Sequence, residues 1–226
     1  MAAVGSNRLT IIVPVPEGSG SIGAGKPHSD LMNADHTFRW VLLAGLLVVL
    51  PVAAYHRLRS LTKERLDRTQ EGWFILVTLR LVGLTTMASV FAYLVNPHRM
   101  AWASVPLPEW MRWIGAGLLA SCVFLLSWTL HSLGKNLTDT VVTRQAHTLV
   151  TIGPYRWVRH PFYVSVLLLV VSCAMLAANW FIFVSGLALF TMMALRTRIE
   201  EGKLAERFGD EYRRYVERTG AFFPRL

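Results

Sequence analysis

Residues 162–195 read FYVSVLLLVVSCAMLAANWFIFVSGLALFTMMAL, an apolar stretch without a single Asp, Glu, Lys or Arg. As one helix at 1.5 Å per residue this stretch would be about 50 Å long, whereas the hydrocarbon core of a bilayer is about 30 Å thick. The polar residue Asn179 interrupts the stretch near its middle, directly before Trp180. We therefore predict a helical hairpin that turns at Asn179, with arms of about 16 to 17 residues whose outer ends return to one membrane face.

Three further apolar stretches precede the hairpin, at residues 38–55, 72–95 and 110–133. Each is long enough to cross a bilayer as a helix. The composition agrees, because 53% of the residues are hydrophobic and only 16% are charged, where a soluble domain carries about 25%. The sequence predicts an all-α fold, a polytopic membrane helical bundle of about five transmembrane helices, and excludes a disordered or ordinary soluble basic protein.

The formal net charge of +9 is explained by this topology. Of the 23 Lys and Arg residues, 17 fall in three segments that five helices place on one side, at 56–71, 134–161 and 196–226. Cytoplasmic loops collect positive residues, so we predict an N-terminus outside and a C-terminus in the cytoplasm. The membrane would be the inner (plasma) membrane in a bacterium or the endoplasmic reticulum in a eukaryote. A nucleic-acid partner is not needed to account for the charge.

The chain divides into three predicted parts. Residues 1–36 form a mobile leader, because residues 15–26 are rich in Gly, Ser and Pro. Residues 37–133 hold the first three helices, and residues 134–226 hold a loop, the hairpin and an amphipathic helix. That last helix is predicted to lie on the cytoplasmic surface and to end near Gly220 and Pro224. Its apolar face is formed by Ile199, Leu204, Phe208, Tyr212 and Tyr215.

Aromatic, cysteine and histidine residues fit this interpretation. Tryptophans cluster near the predicted helix ends, where the indole ring prefers the headgroup boundary: Trp73, Trp102, Trp110, Trp113 and Trp180. Cys122 and Cys173 lie inside apolar stretches and are expected to be small core residues. His131, His147 and His160 lack the spacing of a metal site, so no metal is predicted. Arg80 falls inside the second helix and is expected to face the bundle or a wet cavity.

A dense polar and aromatic segment leads into the hairpin, from His147 to Tyr163. Pro161 suits the first turn of a helix, where its missing N–H does no harm. We expect the N–H groups that follow to form a partly positive helix end, suited to a carboxylate or a ribose hydroxyl. His160 would either donate to the same ligand or simply begin the helix.

Arg196 and Glu200 lie at the other end of the hairpin, four residues apart and hence on one helix face. Alone, such a pair is typical of a surface salt bridge. Because both hairpin ends return to one membrane face, we expect the pair to lie close to His160. The two segments together predict a site of mixed charge at the membrane boundary.

These elements together resemble the integral-membrane methyltransferases related to isoprenylcysteine carboxyl methyltransferase and the phospholipid N-methyltransferases. The resemblance runs from about Leu133 to Tyr215. It rests on the order and spacing of short motifs: Leu133-Gly134, His147 to Val150, Gly153-Pro154-Tyr155, Arg159-His160-Pro161 with Tyr163, Glu200-Glu201, and Phe208-Gly209 with Glu211-Tyr212.

The resemblance implies a binding site for S-adenosylmethionine within residues 134–226. The implied cofactor contacts are Thr140, His147, Thr148, Leu149, Val150, Tyr155, His160, Pro161, Phe162, Tyr163 and Glu200. Arg196 would bind the methyl acceptor, and Arg196 and Glu200 would be the catalytic residues. The expected acceptor is a lipidic or amphipathic molecule that enters laterally between helices.

The implied chemistry needs little from the protein beyond alignment. A sulfonium methyl donor is already activated, so proximity and exclusion of water supply most of the rate. Glu200 would balance the positive end of the donor, and the Arg196 guanidinium would hold an acceptor carboxylate by two hydrogen bonds. An amine acceptor would instead need a base, for which Glu201 and His160 are candidates.

Carboxyl O-methylation is the first choice, and three alternatives remain open at this point. Phospholipid N-methylation is the nearest. NADPH-dependent membrane reductases of the sterol type carry a similar Arg-His-Pro-x-Tyr element, although Glu200-Glu201 argues against them. A non-catalytic membrane accessory protein would retain the same binding residues without turnover.

Overall fold

The computed structural model describes residues 28–60, 73–134 and 148–225. Its architecture is all-α: these ranges hold six α-helices, and extended pairing is limited to isolated bridges. The helices are α1 (His28–Ser60), α2 (Trp73–Val95), α3 (Glu109–Leu133), α4 (Pro161–Ala177), α5 (Trp180–Phe208) and α6 (Asp210–Arg218).

The helices form a membrane bundle. Within the described ranges, four segments are long and apolar enough to span a bilayer: Asp35–Arg59, Val77–Val95, Glu109–Leu133 and Trp180–Phe208. The fifth apolar helix, α4, is shorter, with 17 residues. Large apolar side chains are exposed along these helices, among them Leu47, Leu81, Leu84, Phe91 and Phe124. Lipid is the solvent that suits such surfaces, so the protein is an integral membrane protein, and the predicted five apolar helices are confirmed.

Helix α1 begins earlier than predicted. It starts at His28, inside the segment 1–36 that was predicted as a mobile leader. Residues 28–36 contain neither Gly nor Pro, so nothing in them stops the helix from extending. The rest of that prediction, residues 1–27, lies outside the described residues.

The hairpin turns where the sequence predicts. Ala178 adopts a left-handed conformation with φ of 48° and ends α4. The Asn179 side chain then begins α5, because its Oδ1 accepts a hydrogen bond from the Ile182 N–H at 3.0 Å. Its Nδ2 donates to the Met100 carbonyl at 3.1 Å, which ties the turn to the loop between α2 and α3.

The predicted amphipathic helix is two pieces. Its first half is the end of α5, which runs without interruption to Phe208. Gly209 has φ of 53°, a conformation that ends a helix and that glycine adopts at little cost. The second half is the separate helix α6, whose Tyr212 is buried. The prediction of one continuous helix was wrong because Gly209 ends the helix between Phe208 and Tyr212.

The two cysteines and Arg80 were all predicted from their positions inside apolar stretches, and the structure agrees for the cysteines only. Cys122 and Cys173 are buried free cysteines, as predicted. Arg80 is exposed, which contradicts the first of its two predicted environments, the interior of the bundle. It lies only three residues from the start of the span Val77–Val95, a position from which a long side chain reaches the headgroup region.

Close packing of the hairpin depends on Gly186. Helix α4 packs against α3 and α5, and Leu176 and Ile182 are completely buried beside the turn. A methyl group at Gly186 would overlap the β-branched side chain of Val170 on α4. Glycine at this position therefore sets how closely the two arms approach.

We expect Gly186→Ala to lower the free energy of unfolding by about 1–3 kcal/mol, because the stiff Val170 side chain cannot move aside. Gly117→Ala is the matched control: nothing lies within 4 Å of a Cβ at Gly117, so the helix should gain about 0.5–1 kcal/mol in stability. Unfolding in mixed detergent micelles measures both changes. Equal stabilities of the two variants would contradict the close approach of α4 and α5.

Candidate active site

The start of α4, the end of α5 and the segment after α6 meet at one end of the bundle. We call this end the site face; it holds residues 148–160 and 196–222. Backbone hydrogen bonds join two of these elements: the Arg159 N–H donates to Gly220 O at 2.9 Å, and the His160 N–H donates to Ala221 O at 3.0 Å. The segment after α6 thus pairs with the segment that leads into α4.

Glu200 and Tyr163 link α5 to α4. The Tyr163 hydroxyl donates to Glu200 Oε2 at 2.9 Å. Among the described residues, the second carboxylate oxygen of Glu200 has no hydrogen-bond donor. Glu200 is partly exposed, so this oxygen can accept a hydrogen bond from a ligand.

Glu201 makes the second link and is the centre of a charged cluster. Its Oε1 accepts a hydrogen bond from Arg159 Nε at 2.8 Å and lies 3.0 Å from His160 Nε2. The side chains of Arg159 and His160 are only 12% and 5% exposed. A buried guanidinium needs such a partner, since an uncompensated charge at low dielectric is costly. We call Arg159, His160 and Glu201 the Glu201 cluster.

The segment after α6 completes the Glu201 cluster. Arg159 Nη1 also donates to the carbonyl of Thr219. The Phe222 ring packs against the rings of His160 and Phe190, with centroid distances of 5.8 Å and 5.7 Å. The C-terminal segment therefore fixes the two side chains that hold Glu201.

Three tyrosines lie beside this cluster. The Tyr215 hydroxyl donates to the Tyr155 carbonyl at 2.7 Å, which anchors α6 to the loop before α4. Burial raises the pKa of Tyr215 to about 12, and burial also raises the pKa of Tyr155 and of Tyr212. All three side chains are neutral phenols at physiological pH, so they act as hydrogen-bonding groups.

The predicted site residues are distributed as follows. His160, Tyr163 and Glu200 lie together, as the hairpin argument predicts, and Arg196 is partly buried one helical turn before Glu200. Thr148 is exposed, Leu149, Val150, Tyr155 and Phe162 are partly exposed, and Pro161 is fully buried at the first turn of α4. Thr140 and His147 lie outside the described residues.

The sequence expectation for the N–H groups at the start of α4 is contradicted for Tyr163 and Val164. The N–H groups of Tyr163 and Val164 both donate to the His160 carbonyl, at 3.1 Å and 3.2 Å. They are therefore not open to a carboxylate or a ribose hydroxyl. His160 also uses its Nε2 on Glu201, and within the described part of the chain its Nδ1 has no hydrogen-bond partner.

Several residues of the site were missed or given a different role by the sequence analysis. Glu201 was considered only as a base, whereas it is the acceptor that joins α5 to the start of α4. Its adjacency to Glu200 was the available signal, since two neighbouring carboxylates at the end of an apolar helix need partners. No local pattern indicated Thr219 or Phe222, because Arg159 and His160, which they contact in the Glu201 cluster, lie 60 residues or more away in the chain.

The site fits a ligand with both polar and positive groups. Tyr212 is 3% exposed, and its hydroxyl has no hydrogen-bond partner among the described residues. Its ring packs against the Tyr215 ring, with a centroid distance of 6.0 Å. A buried hydroxyl without a partner costs about 1–3 kcal/mol, so it is expected to bond to a ligand or to water. Within the described ranges, no group of three or more His, Cys, Asp or Glu side chains could hold a metal ion.

The chain's sequence matches a known family over the residues that build this site. The family model described as "Isoprenylcysteine carboxyl methyltransferase (ICMT) family" matches residues 114–206. Arg159, His160, Tyr163, Glu200 and Glu201 all lie within the matched range, and the resemblance stated from the motifs is confirmed. The matched range ends before α6, so the ICMT match leaves out Tyr212.

The curated proteins that this chain is similar to carry two kinds of name. The nickel-cobalt-cadmium resistance protein NccN of Alcaligenes xylosoxydans xylosoxydans is 35% identical over 116 residues, which is 50% of this chain and 53% of NccN. The cobalt-zinc-cadmium resistance protein CzcN of Cupriavidus metallidurans is 34% identical over 51% of this chain and 55% of CzcN. The protein-S-isoprenylcysteine O-methyltransferase of Schizosaccharomyces pombe is 32% identical over 48% of this chain and 47% of that enzyme.

The chain thus spans about half the length of the curated relatives it matches. A solved structure of the eukaryotic intramembrane Ras methyltransferase ICMT aligns with 86% of this chain and 65% of that one, at a TM-score of 0.47 and 19% identity.

Proposed function

We propose that this protein is an S-adenosylmethionine-dependent methyltransferase that methylates a carboxylate on a lipidic or amphipathic acceptor. The observation that carries the proposal is the pair of links across the hairpin, Tyr163 to Glu200 and Arg159 with His160 to Glu201, inside the range that matches the ICMT family. These links join the two segments that a donor and an acceptor would both have to reach. S-isoprenylcysteine is the acceptor class that the names of several relatives suggest.

Cofactor binding is assigned to the residues around Glu200. The open carboxylate oxygen of Glu200 would accept a hydrogen bond from the ammonium group or a ribose hydroxyl of S-adenosylmethionine. The Tyr212 hydroxyl would donate a hydrogen bond to S-adenosylmethionine. The further contacts proposed are Thr140, His147, Thr148, Leu149, Val150, Tyr155, His160, Pro161, Phe162 and Tyr163. The bound sulfonium supplies an activated methyl group.

The protein's own contribution is orientation and exclusion of water. Arg196 is partly buried on α5, one turn before Glu200, and its planar guanidinium can hold an acceptor carboxylate by two parallel hydrogen bonds. These hydrogen bonds would hold the nucleophilic oxygen of the acceptor against the methyl group of the donor. The Glu201 cluster would meanwhile keep the start of α4 and the end of α5 in place. Alignment of this kind lowers the activation barrier of methyl transfer by roughly 7 to 11 kcal/mol.

The proposed site opens to the cytoplasm. The site face carries the segments rich in Lys and Arg, which by the positive-inside tendency lie on the cytoplasmic side. S-adenosylmethionine would then enter from the cytosol, and the lipidic acceptor from the membrane between helices.

Calorimetric titration of the purified protein in detergent tests the cofactor assignment. S-adenosylmethionine, its demethylated product and NADPH are titrated in parallel, and we expect the first two to bind and NADPH not to bind. Glu200→Gln should weaken S-adenosylmethionine binding about tenfold, since one charge-assisted hydrogen bond loses its charge. Glu206→Gln, at an exposed position on the same helix, is the matched control and should bind normally.

The other outcomes separate the alternatives. Binding of NADPH alone would assign the protein to the membrane reductases. Binding of none of the three compounds would favour an accessory protein. Transfer of a labelled methyl group to phosphatidylethanolamine, with none to an S-farnesylated N-acetylcysteine, would favour N-methylation. Unchanged affinity in a folded Glu200→Gln variant would remove Glu200 from the cofactor site.

A further inference from the structure

The end of the bundle opposite the site face contains a large cavity. We call this end the turn face; it holds the hairpin turn and residues 96–108, which the hydrogen bond from Val105 N–H to Ala178 O joins at 2.8 Å. The cavity has a volume of about 1010 Å³ and lies between the start of α1, the end of α2, the start of α3 and the hairpin turn. That volume is at the upper end of typical small-molecule sites, about 300–1,000 Å³.

An ion pair between the buried Arg112 and the exposed Asp35 lines the cavity. Arg112 is 5% exposed and donates to the Leu176 carbonyl through Nε at 3.1 Å and Nη2 at 2.7 Å. Its Nη1 lies 2.6 Å from Asp35 Oδ1, and its guanidinium stacks over the Phe38 ring. Arg112 is therefore almost saturated with partners, and its charge is balanced by Asp35.

Asp35 presents a negative group to the cavity, which Glu109 also lines. Its side chain is 53% exposed although Arg112 holds one of its oxygens. Among the described residues, the second oxygen has no hydrogen-bond donor. That oxygen can accept from a cation that enters the cavity.

Arg39 presents the positive group, one turn further along the same face of α1. Its Nε and Nη2 donate to the carbonyls of Leu94 and Val95 at 2.7 Å and 3.1 Å, which caps the end of α2. No carboxylate of a described residue lies within ion-pair distance of Arg39. Its Nη1 hydrogens and its uncompensated charge therefore remain for an anion.

The depth of the cavity is that of lipid headgroups. Exposed tryptophans surround the turn face, and Trp110 itself lines the cavity. The indole ring prefers the headgroup boundary, so this ring of side chains marks that level. The tryptophans are Trp40, Trp102, Trp110, Trp113 and Trp180.

We propose that this cavity binds the headgroup of a zwitterionic phospholipid, with the phosphate at Arg39 and the ammonium at Asp35. The two groups have opposite charge, lie one helical turn apart, and face a cavity of sufficient volume at headgroup depth. An anionic lipid has no ammonium group to donate to the second Asp35 oxygen, so it fits less well. His36 and His98 also line the cavity and can add hydrogen bonds to the phosphate.

Lipid titration of the purified protein in detergent tests the proposal. Phosphatidylethanolamine and phosphatidylglycerol with identical short acyl chains are compared, together with soluble phosphoethanolamine, and the unfolding midpoint is followed. We expect phosphatidylethanolamine to raise the midpoint more than the other two. Arg39→Gln should weaken its affinity about tenfold, the effect of losing one charge-assisted contact, and exposed Arg99→Gln is the matched control.

Asp35→Asn tests lipid selectivity, which would not change if Asp35 only stabilised the fold. Removing the carboxylate should abolish the preference for phosphatidylethanolamine and improve binding of phosphatidylglycerol. Equal midpoint shifts by both lipids in the wild-type protein would overturn the proposal, even if neither variant folds. A shift by phosphoethanolamine as large as that by the lipid would overturn the assignment to a membrane lipid and favour a soluble ligand. S-adenosylmethionine binding at the site face is expected to be unchanged throughout.

Discussion

Glu201→Ala should lower the free energy of unfolding by about 2 kcal/mol and reduce S-adenosylmethionine binding below detection. The carboxylate is the acceptor for both Arg159 and His160, which are 12% and 5% exposed. Removing it leaves a guanidinium buried without its partner, which costs about 3–5 kcal/mol in a fully buried pair. Because Glu201 is itself 27% exposed, water will compensate part of that cost. Unfolding in mixed micelles and calorimetric titration measure the two effects.

Two further variants show whether the charge or the contact matters. Glu201→Gln keeps an oxygen that can accept from Arg159 but removes the charge, so its loss of stability should be smaller than that of the alanine variant. Asp210→Ala removes a carboxylate from the exposed pair with Arg213, and it should cost no more than about 1 kcal/mol. If Glu201→Ala were as stable as Asp210→Ala, the Glu201 cluster would not hold the hairpin to the start of α4.

The fold was largely predictable because its strongest signals are local. Residues 162–195 are too long for one span, and Asn179 is the polar residue at which the chain turns and α5 begins. The errors in helix bounds arose where two local sequence signals predict different structures. Gly209 breaks the apolar periodicity that joins Phe208 to Tyr212, and residues 28–36 extend α1 because they contain no helix breaker.

The site was predictable only in part, because its contacts are long-range. His160, Tyr163 and Glu200 were predicted to converge, since a hairpin returns both of its ends to one face. The partner of each was not predictable: Tyr163 bonds to Glu200 and His160 to Glu201, and the sequence does not distinguish two adjacent carboxylates. The same reason explains Arg112, whose partners lie 19 to 77 residues away.

Arg196→Ala should bind S-adenosylmethionine nearly normally but transfer methyl groups about 100-fold more slowly. Arg196 is proposed to hold the acceptor carboxylate, and a displacement of about 1 Å at a reacting atom costs about that factor. Arg196→Lys should recover part of the rate, because it restores the charge without the two-point hydrogen bond. Single-turnover transfer from labelled donor to an S-farnesylated N-acetylcysteine measures the chemical step separately from binding.

Arg198→Ala is the matched control for this prediction, because Arg198 is exposed two residues further along α5 and should leave the rate unchanged. Wild-type turnover in Arg196→Ala would show that the acceptor is held elsewhere. Equal losses of cofactor affinity and turnover would instead place Arg196 in the cofactor site. A slower rate that excess acceptor restores would mean that Arg196 contributes binding alone, since orientation in the bound state would then be intact.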